Sequence, residues 1–369
     1  MKIICNTAAF TETCLNVQRC VPNRSVMPHL ECLLMQTQED STLKISGFDL
    51  FLGITTVTDV RVEEPGAMVL NAKTFCDILR CLPGDDVSIS CDEKNICTIR
   101  SGETEFTIIS LKPEEYPELP KITEEVPFSV RQGTFKTMIR QTAFAVSAEE
   151  SKTVHRGIKF EVSPGLLRMI GLDGFRLAIR NEFNAYNGDP FSFIVSAKNL
   201  NEIIKFIDDG EDAEMDISVG RKHVSFRVGA YEMIAHRLEG EFLDYKSAVP
   251  TAKSTVVRAT TKKVIDCIVR TSTIITEKTK SPLKFVIDDD MIRISCVTAL
   301  GSVKDELDVS LEGKRIEIGF NNRFMLEALR SCETDEVLIQ LNGPYAPALI
   351  LPPEGDAFTY LVLPVRIKT

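Results

Sequence analysis

The sequence predicts an α+β protein made of three repeated domains, each with two helices packed on antiparallel sheets. Three observations carry this. An amphipathic helix pattern recurs at intervals of 125 residues, the segments between helices change to the two-residue period of strands, and proline-bearing joints separate the copies. The divisions expected are residues 1–121, 122–250 and 251–369.

The helix that defines the repeat is Asn71 to Leu82, NAKTFCDILRCL. Its apolar Phe75, Ile78, Leu79 and Leu82 fall at i, i+3, i+4 and i+7, with Lys73, Asp77 and Arg80 opposite. The pattern returns 125 residues on as Lys198, Leu200, Glu202, Ile203, Ile204, Lys205 and Ile207, and again as Arg323, Met325, Glu327, Ala328, Leu329, Arg330 and Cys332. A cation, an acid and a cation therefore keep the same offsets in front of an apolar face. A second helix precedes it in each copy: Phe10 to Val21, Phe135 to Ser147 and Lys262 to Ile275. Phe10, Cys14, Val17 and Val21 correspond to Phe135, Ile139, Thr142 and Val146, and to Val264, Ile268, Thr271 and Ile275.

Short strands are expected at Leu43 to Ser46, Thr55 to Val62, Val87 to Ser90, Phe106 to Ile109, Ile158 to Val162, Met215 to Val219, Phe285 to Ile287 and Val337 to Leu341. LKISGFD (43–49), LRMIGLD (167–173) and IRISCVT (292–298) are one strand in three copies. The run Asp288, Asp289, Asp290 lies between two strands and suits a solvated hairpin turn better than a metal site. EEYPELP (114–120) and EFLDYKSAVP (241–250) close the first two copies, each with an acid, a tyrosine and a final proline.

Composition narrows the function classes. With 44% hydrophobic residues the 369-residue chain can build sizeable cores. It has no run of 18 apolar residues, so no membrane helix is expected, and MKIICNTAAFTETC lacks the pattern of a signal peptide. A cytoplasmic protein is the expectation. The 11 cysteines include no C-x-x-C pair and sit mostly among apolar neighbours, as buried reduced thiols do. Four scattered histidines give no metal-ligand spacing, and neither a metal nor a cofactor is expected.

Charge is unevenly spread. The six helices hold twelve basic residues (Arg19, Lys73, Arg80, Lys136, Arg140, Lys198, Lys205, Lys262, Lys263, Arg270, Arg323, Arg330) against five acids (Glu12, Asp77, Glu202, Asp266, Glu327). That is a surplus of seven in a chain of net charge −10, which leaves −17 elsewhere. A charged helix face is ordinarily a solvated face. Six that lean the same way point to a polyanion surface, and their spacing without interleaved aromatics suits phosphates rather than bases, hence sequence-independent binding of duplex DNA. Two other classes are weighed against this. An enzyme finds no support in a Walker loop, G-x-G-x-x-G, G-x-S-x-G or H-E-x-x-H, and the aspartates of GFDLF and GLDGF, at matching repeat positions, suit turns. A protein-interaction scaffold that does not bind DNA is the alternative.

In the order and spacing of SGFDLFLGI (46–54), NAKTFCDILRCLP (71–83), EEYPELP, RGIKFE (156–161), GLDGFRLAIR (171–180) and YLVLPVRI (360–367), the chain resembles the bacterial DNA sliding clamp family, the beta subunits of DNA polymerase III, over its full length. The resemblance implies a non-enzymatic processivity factor: a homodimeric ring of clamp domains whose helices face duplex DNA. Its partners would be the replicative polymerase, an ATP-driven clamp loader, and other repair and replication proteins that carry a clamp-binding motif. It also places a DNA-touching arginine at Arg24. A partner-peptide cleft would comprise Leu172, Gly174, Phe175, Arg176, Leu177, Leu243, Ala248, Phe324, Leu361, Leu363, Pro364, Val365 and Arg366. Phe175 replaces a histidine common in relatives and Leu243 a proline, so peptide preference would shift. From the residues alone, LVLPV reads more readily as an ordinary last strand. The matching dimer interface is Phe106 and Ile108 with Ile274 and Ile275, although alternating FTII also suits a core strand.

Overall fold

The computed structural model describes residues 1–39, 41–122, 125–149, 151, 153–208, 212–276 and 281–367. Its α-helices are α1 (Thr7–Gln18), α2 (Ala72–Cys81), α3 (Gln132–Ala143), α4 (Ala197–Ile203), α5 (Tyr245–Ala248), α6 (Thr261–Ser272) and α7 (Asn322–Arg330). Among the described residues no helix is long and apolar enough to cross a membrane. The chain divides into two compact units, Met1–Gly133 with Glu202–Arg237, and Thr134–Asn201 with the residues from Leu238 onward.

The first unit has a five-stranded sheet in the order Arg61–Glu64, Lys2–Asn6, Asp86–Cys91, Ile96–Ser101, Thr104–Ile109. Its eight-stranded sheet runs Val126–Arg131, Glu214–Val219, His223–Val228, Tyr231–His236, Leu52–Asp59, Thr42–Phe48, Cys32–Thr37, Ala67–Asn71. In the second unit, nine strands follow the order Phe191–Ser196, Gly157–Ser163, Leu166–Leu172, Arg176–Glu182, Phe358–Val362, Ala348–Leu351, Glu336–Leu341, Thr255–Thr260, Ser310–Gly313. Gly301–Asp308, Met291–Thr298, Leu283–Asp288 and Ile316–Phe320 form its four-stranded sheet. The division into units follows this hydrogen bonding. Leu52–Asp59 of the first repeat pairs with Tyr231–His236 of the second, and Arg176–Glu182 of the second with Phe358–Val362 of the third. The pairing cuts across the middle repeat.

Within each copy the same local devices recur. The first helix opens where its first amide donates to a carbonyl after the second helix: Thr7 to Asp85 (2.8 Å), Gln132 to Ala213 (2.9 Å) and Thr261 to Asp335 (2.8 Å). Asn6, Asn71 and Asn321 cap α1, α2 and α7 by accepting from the backbone amides of Ala9, Thr74 and Phe324. These bonds start α1 at Thr7 rather than Phe10 and α3 at Gln132 rather than Phe135, and both end sooner than expected, at Gln18 and Ala143. The helix after Ala197 tightens into a 3₁₀ turn at Ile204–Phe206. The strand expected from Thr55 to Val62 is two strands, because the chain leaves the eight-stranded sheet at Asp59 and joins Lys2–Asn6 from Arg61.

The aspartates of GFDLF and GLDGF are turn formers. Asp49 Oδ1 accepts from the amides of Phe51 (2.9 Å) and Leu52 (2.6 Å); Asp173 Oδ1 accepts from Phe175 (2.8 Å) and Arg176 (3.0 Å). At the third acidic site, Asp289 and Asp290 carry φ of 51° and 55°, the left-handed pair of a two-residue hairpin, and Asp290 Oδ1 accepts from Leu311 N at 2.8 Å.

Helix and sheet meet at apolar faces. Phe10 of α1 and Phe75 of α2 are buried edge to face, with centroids 6.2 Å apart. In the second unit Ile268 of α6 and Leu329 of α7 share a core with Phe320 and Tyr360. Nine of the 11 cysteines are buried, Cys332 is intermediate, and Cys81 is exposed. Burial pushes the thiols of Cys76, Cys267 and Cys332 up to about 12.

The glycines of SGFD and IGLD let the end of the first helix lie on the strand. A Cβ on Gly171 would stand 2.3 Å from the Thr142 carbonyl oxygen, and one on Gly47 2.9 Å from Cys20 Sγ. Backbone oxygen cannot swing aside. Gly171→Ala is therefore expected to destabilise the second unit by about 1–3 kcal/mol, read as a lower urea midpoint; an unchanged midpoint would mean the helix end moves freely.

Candidate functional site

Twelve of the thirteen cations expected to face DNA are exposed: Arg19, Arg24, Lys73, Arg80, Arg140, Lys198, Lys205, Lys262, Lys263, Arg270, Arg323 and Arg330. Lys136 is the correction, at 9% exposure. On α3 it stands one turn after buried Gln132 and one turn before both buried Ile139 and exposed Arg140, at the margin of the apolar face. Several of the others hold an acid: Arg80 with Asp77 (3.1 Å), Lys205 with Glu202 (2.7 Å), Arg270 with Asp305 (2.6 Å) and Arg323 with Glu327 (2.7 Å). Exposed pairs of this kind are worth about 0–1 kcal/mol, so a phosphate can displace the acid at little cost.

The cleft residues come together at the strand pair Arg176–Glu182 with Phe358–Val362, where Leu177 faces Leu361. Leu172, Leu177 and Leu361 are buried in one apolar cluster with Ile170, Ile179, Tyr245 and Leu349, and Phe242, Val249 and Leu351 pack at its margin. Leu243 (52% exposed) and Leu363 (36%) offer apolar surface to solvent, and Ala248, ending α5, is exposed. Tyr245 is fixed by donating its hydroxyl to Glu161 Oε2 at 2.7 Å; burial, then this carboxylate, pushes its phenol up to about 12.

The turn that follows Leu172 is built around Arg176. Only 8% exposed, its guanidinium donates to Asp173 Oδ2 (3.1 Å) and to Glu327 of α7, and lies 4.5 Å from the Phe324 ring centre and 5.7 Å from that of Phe144. Gly174, with φ of 92°, lets the turn pass, and exposed Phe175 stacks on Phe324 at 6.3 Å. Leu363 N donates to Phe175 O at 2.9 Å, which ties the C-terminal segment to this turn. Arg176 thus sits beneath the rim as a support, with Nε and Nη1 committed to Asp173 and Glu327.

Beyond Pro364 the segment departs from the apolar cluster. Val365 N donates to Gly319 O at 2.8 Å, and Val365 lines two cavities, one of about 660 Å³ beside Phe324 and Ile275 and one of about 870 Å³ that also includes Arg366. Val365 and Arg366 therefore border a different surface from Leu172 and Leu177. Sequence reasoning missed Phe242, Tyr245, Val249 and Leu349. The first three lie in EFLDYKSAVP, where their apolar spacing beside the repeat's closing proline was the available signal.

Thr104–Ile109 is an edge strand: Phe106 and Ile108 are half-buried while Glu105, Thr107 and Ile109 are exposed. Ile274 and Ile275 are half-buried against the core beneath α6 and α7. A second open edge, Gly301–Asp308, was not expected from the sequence, since GSVKDELD holds four charged residues and only two large apolar ones, Val303 and Leu307.

Known proteins share this architecture. Residues 1–120, 129–244 and 246–366 match the N-terminal, central and C-terminal domains of the DNA polymerase III beta subunit family. A beta sliding clamp of Halalkalibacterium halodurans is 28% identical over 380 residues, covering 99% of this chain and 100% of that protein. One of Staphylococcus aureus is 31% identical over 309 residues, 83% of this chain and 82% of that protein. The crystal structure of the Bacillus subtilis DNA polymerase sliding clamp superposes with a TM-score of 0.96 at 27% identity, covering all of both chains.

Glu327 provides a check on the support under the rim. Burial raises its carboxyl, but the bonds from Arg323 and Arg176 and their charges outweigh this and hold it below the usual range. A carboxyl depressed in the folded state adds stability above its unfolded value, about 4.3, and loses it as pH falls through the folded one. Glu327→Gln should therefore lower the urea midpoint at pH 7, and the gap from the unmodified protein should narrow as pH drops below about 4.3. A gap independent of pH would exclude the ion pairs as its source.

Proposed function

Since this chain belongs to the bacterial sliding clamp family, the DNA polymerase III beta subunits, we propose that it works as a homodimeric ring around duplex DNA that tethers the replicative polymerase. Its role is that of a DNA polymerase processivity factor. The observation that carries this is the succession of three family domains along one chain, with exposed cations on the helices of every copy. The working domains would be 1–121, 122–250 and 251–369.

Arg19, Arg24, Lys73, Arg80, Arg140, Lys198, Lys205, Lys262, Lys263, Arg270, Arg323 and Arg330 would meet phosphates. Diffuse contacts of this kind neutralise the backbone without reading bases, so the ring slides. Lys136 supports its helix from within. The ring would close by strand addition between protomers, with Thr104–Ile109 of one protomer beside Gly301–Asp308 of its partner and Phe106 and Ile108 covering Ile274 and Ile275. Both edges are open for this within their own sheets.

Partner peptides would dock where Leu172, Leu177 and Leu361 floor the strand junction. Leu243, Ala248, Phe175 and Leu363 would form the walls, with Gly174, Arg176 and Phe324 setting the turn. Pro364 would end this surface, since Val365 and Arg366 border the neighbouring cavities. Polymerase, an ATP-driven clamp loader and further replication and repair proteins would share this surface in the cytoplasm. No group in the site is poised for catalysis on this reading: Asp49 and Asp173 are committed to backbone amides. A scaffold that ignores DNA is not favoured, because it leaves the helix cations unexplained.

Light scattering at micromolar concentration should give twice the 41.2 kDa chain mass; a stable monomer would sink the two-subunit ring. Protein loaded on circular DNA should be lost on linearisation, and Lys198→Glu or Arg24→Glu should weaken retention without lowering the unfolding midpoint. Equal retention would remove those residues from the DNA surface. Leu363→Ala should cost a polymerase-derived peptide about tenfold in affinity, near the 1.4 kcal/mol expected of a well-placed apolar anchor, and unchanged affinity would move the site elsewhere.

A further inference from the structure

The four-stranded sheet of the second unit ends in Ile316–Phe320, which pairs with Leu283–Asp288 on one side only. On its other side the C-terminal segment supplies a single rung, Val365 N to Gly319 O at 2.8 Å. Backbone groups alternate along a strand, so the N–H and C=O of Glu317 point the same way as those of Gly319. Among the described residues no backbone bond reaches them there. The cavity of about 870 Å³ runs along this edge. Every residue from Lys314 to Gly319 lines it, with Tyr345 and Ile367 among the residues around it.

The chemistry of this groove is distinctive. Ile316 and Ile318 are buried in the sheet beneath it and Tyr345 is 82% exposed at its side. Arg315 is engaged by Asp288 (3.3 Å) and Glu317 by Lys284 (2.5 Å), whereas Lys314 and Arg366 hold no ion pair among the described residues. In a chain of net charge −10, the groove is left with two cations that no acid among the described residues pairs.

We propose that this groove is a second protein-binding site, which takes an extended acidic segment of a partner as an added strand beside Ile316–Phe320. Main-chain bonds to Glu317 would supply register, and acidic side chains would meet Lys314 and Arg366. A second copy of this chain is the poorer occupant, since antiparallel pairing would set Lys314 against the other copy's Arg366. Val365 also lines the neighbouring cavity beside Phe324, so a single partner can reach both surfaces. The inference stands whether or not the leucine cleft holds a peptide.

The test uses the full-length protein and a fluorescein-labelled heptapeptide of alternating aspartate and valine, followed by anisotropy. Saturable binding is expected, weakened at least tenfold by Lys314→Glu and by Glu317→Pro, and kept by Glu317→Gln, which alone controls for the lost pair with Lys284. Proline is tolerated at an edge where the amide faces outward, so the variant should fold; should it not, slowed hydrogen exchange at the Glu317 amide of the unmodified protein on adding the peptide gives the same answer. N-methylating alternate amides of the probe should abolish binding, and Leu243→Asp should leave it unchanged, which separates this site from the cleft. Binding that ignores Glu317→Pro or N-methylation, no binding at millimolar probe, or a folded Glu317→Pro variant of altered solution mass would each overturn the proposal.

Discussion

The structure depends on strands pairing across repeats. Leu52–Asp59 with Tyr231–His236, and Arg176–Glu182 with Phe358–Val362, turn separate copies into continuous sheets. Hydrogen bonds along a sheet are regular and cooperative, so neighbouring copies are held by the same interaction that builds each copy. A joint made of side chains alone would leave the edge amides of both strands to water. Here they are satisfied, and the apolar cluster of Leu172, Leu177 and Leu361 grows directly on the joint.

A related economy appears at the turns. Asp49 and Asp173 hold equivalent bends with one carboxylate oxygen, but only Asp173 has a guanidinium on its other oxygen. Arg176 then carries the link to Glu327 on α7 and lies against two aromatic rings. Its low exposure means that both acids are needed to offset desolvation of the cation. The first junction follows another solution: Tyr116 and Leu119, from the proline-bearing joint, pack with Phe48 there. Copies that share a fold have diverged where one of them carries the proposed partner surface.

Much of this was legible in the residues. α2 agrees with its sequence pattern to one residue at each end, because Phe75, Ile78 and Leu79 leave only one face to bury. The turn role of the two aspartates followed from their repeated position. Other features lie outside what periodicity encodes. The start of α1 is set by a bond to Asp85, far along the chain, and the burial of Lys136, one turn from exposed Arg140, has no signal in the helical period. The Gly301–Asp308 edge loses its apolar alternation at Asp305, which takes an inward position between Val303 and Leu307 and meets Arg270. Which strands would pair between repeats had no local signature at all, so the division into two units could not be anticipated. YLVLPVRI holds the last strand to Val362 and then leaves the sheet, an exit that its apolar residues do not announce.

The distribution of thiols has a practical side. Maleimides and similar reagents attack the thiolate, and burial keeps Cys76, Cys267 and Cys332 protonated at neutral pH as well as out of reach. Cys81 is the one exposed sulfur in a chain of 11. It ends α2, next to Arg80. A dye can therefore be placed there selectively without engineering out the other ten, which gives the native sequence its own spectroscopic reporter on a helix proposed to face nucleic acid.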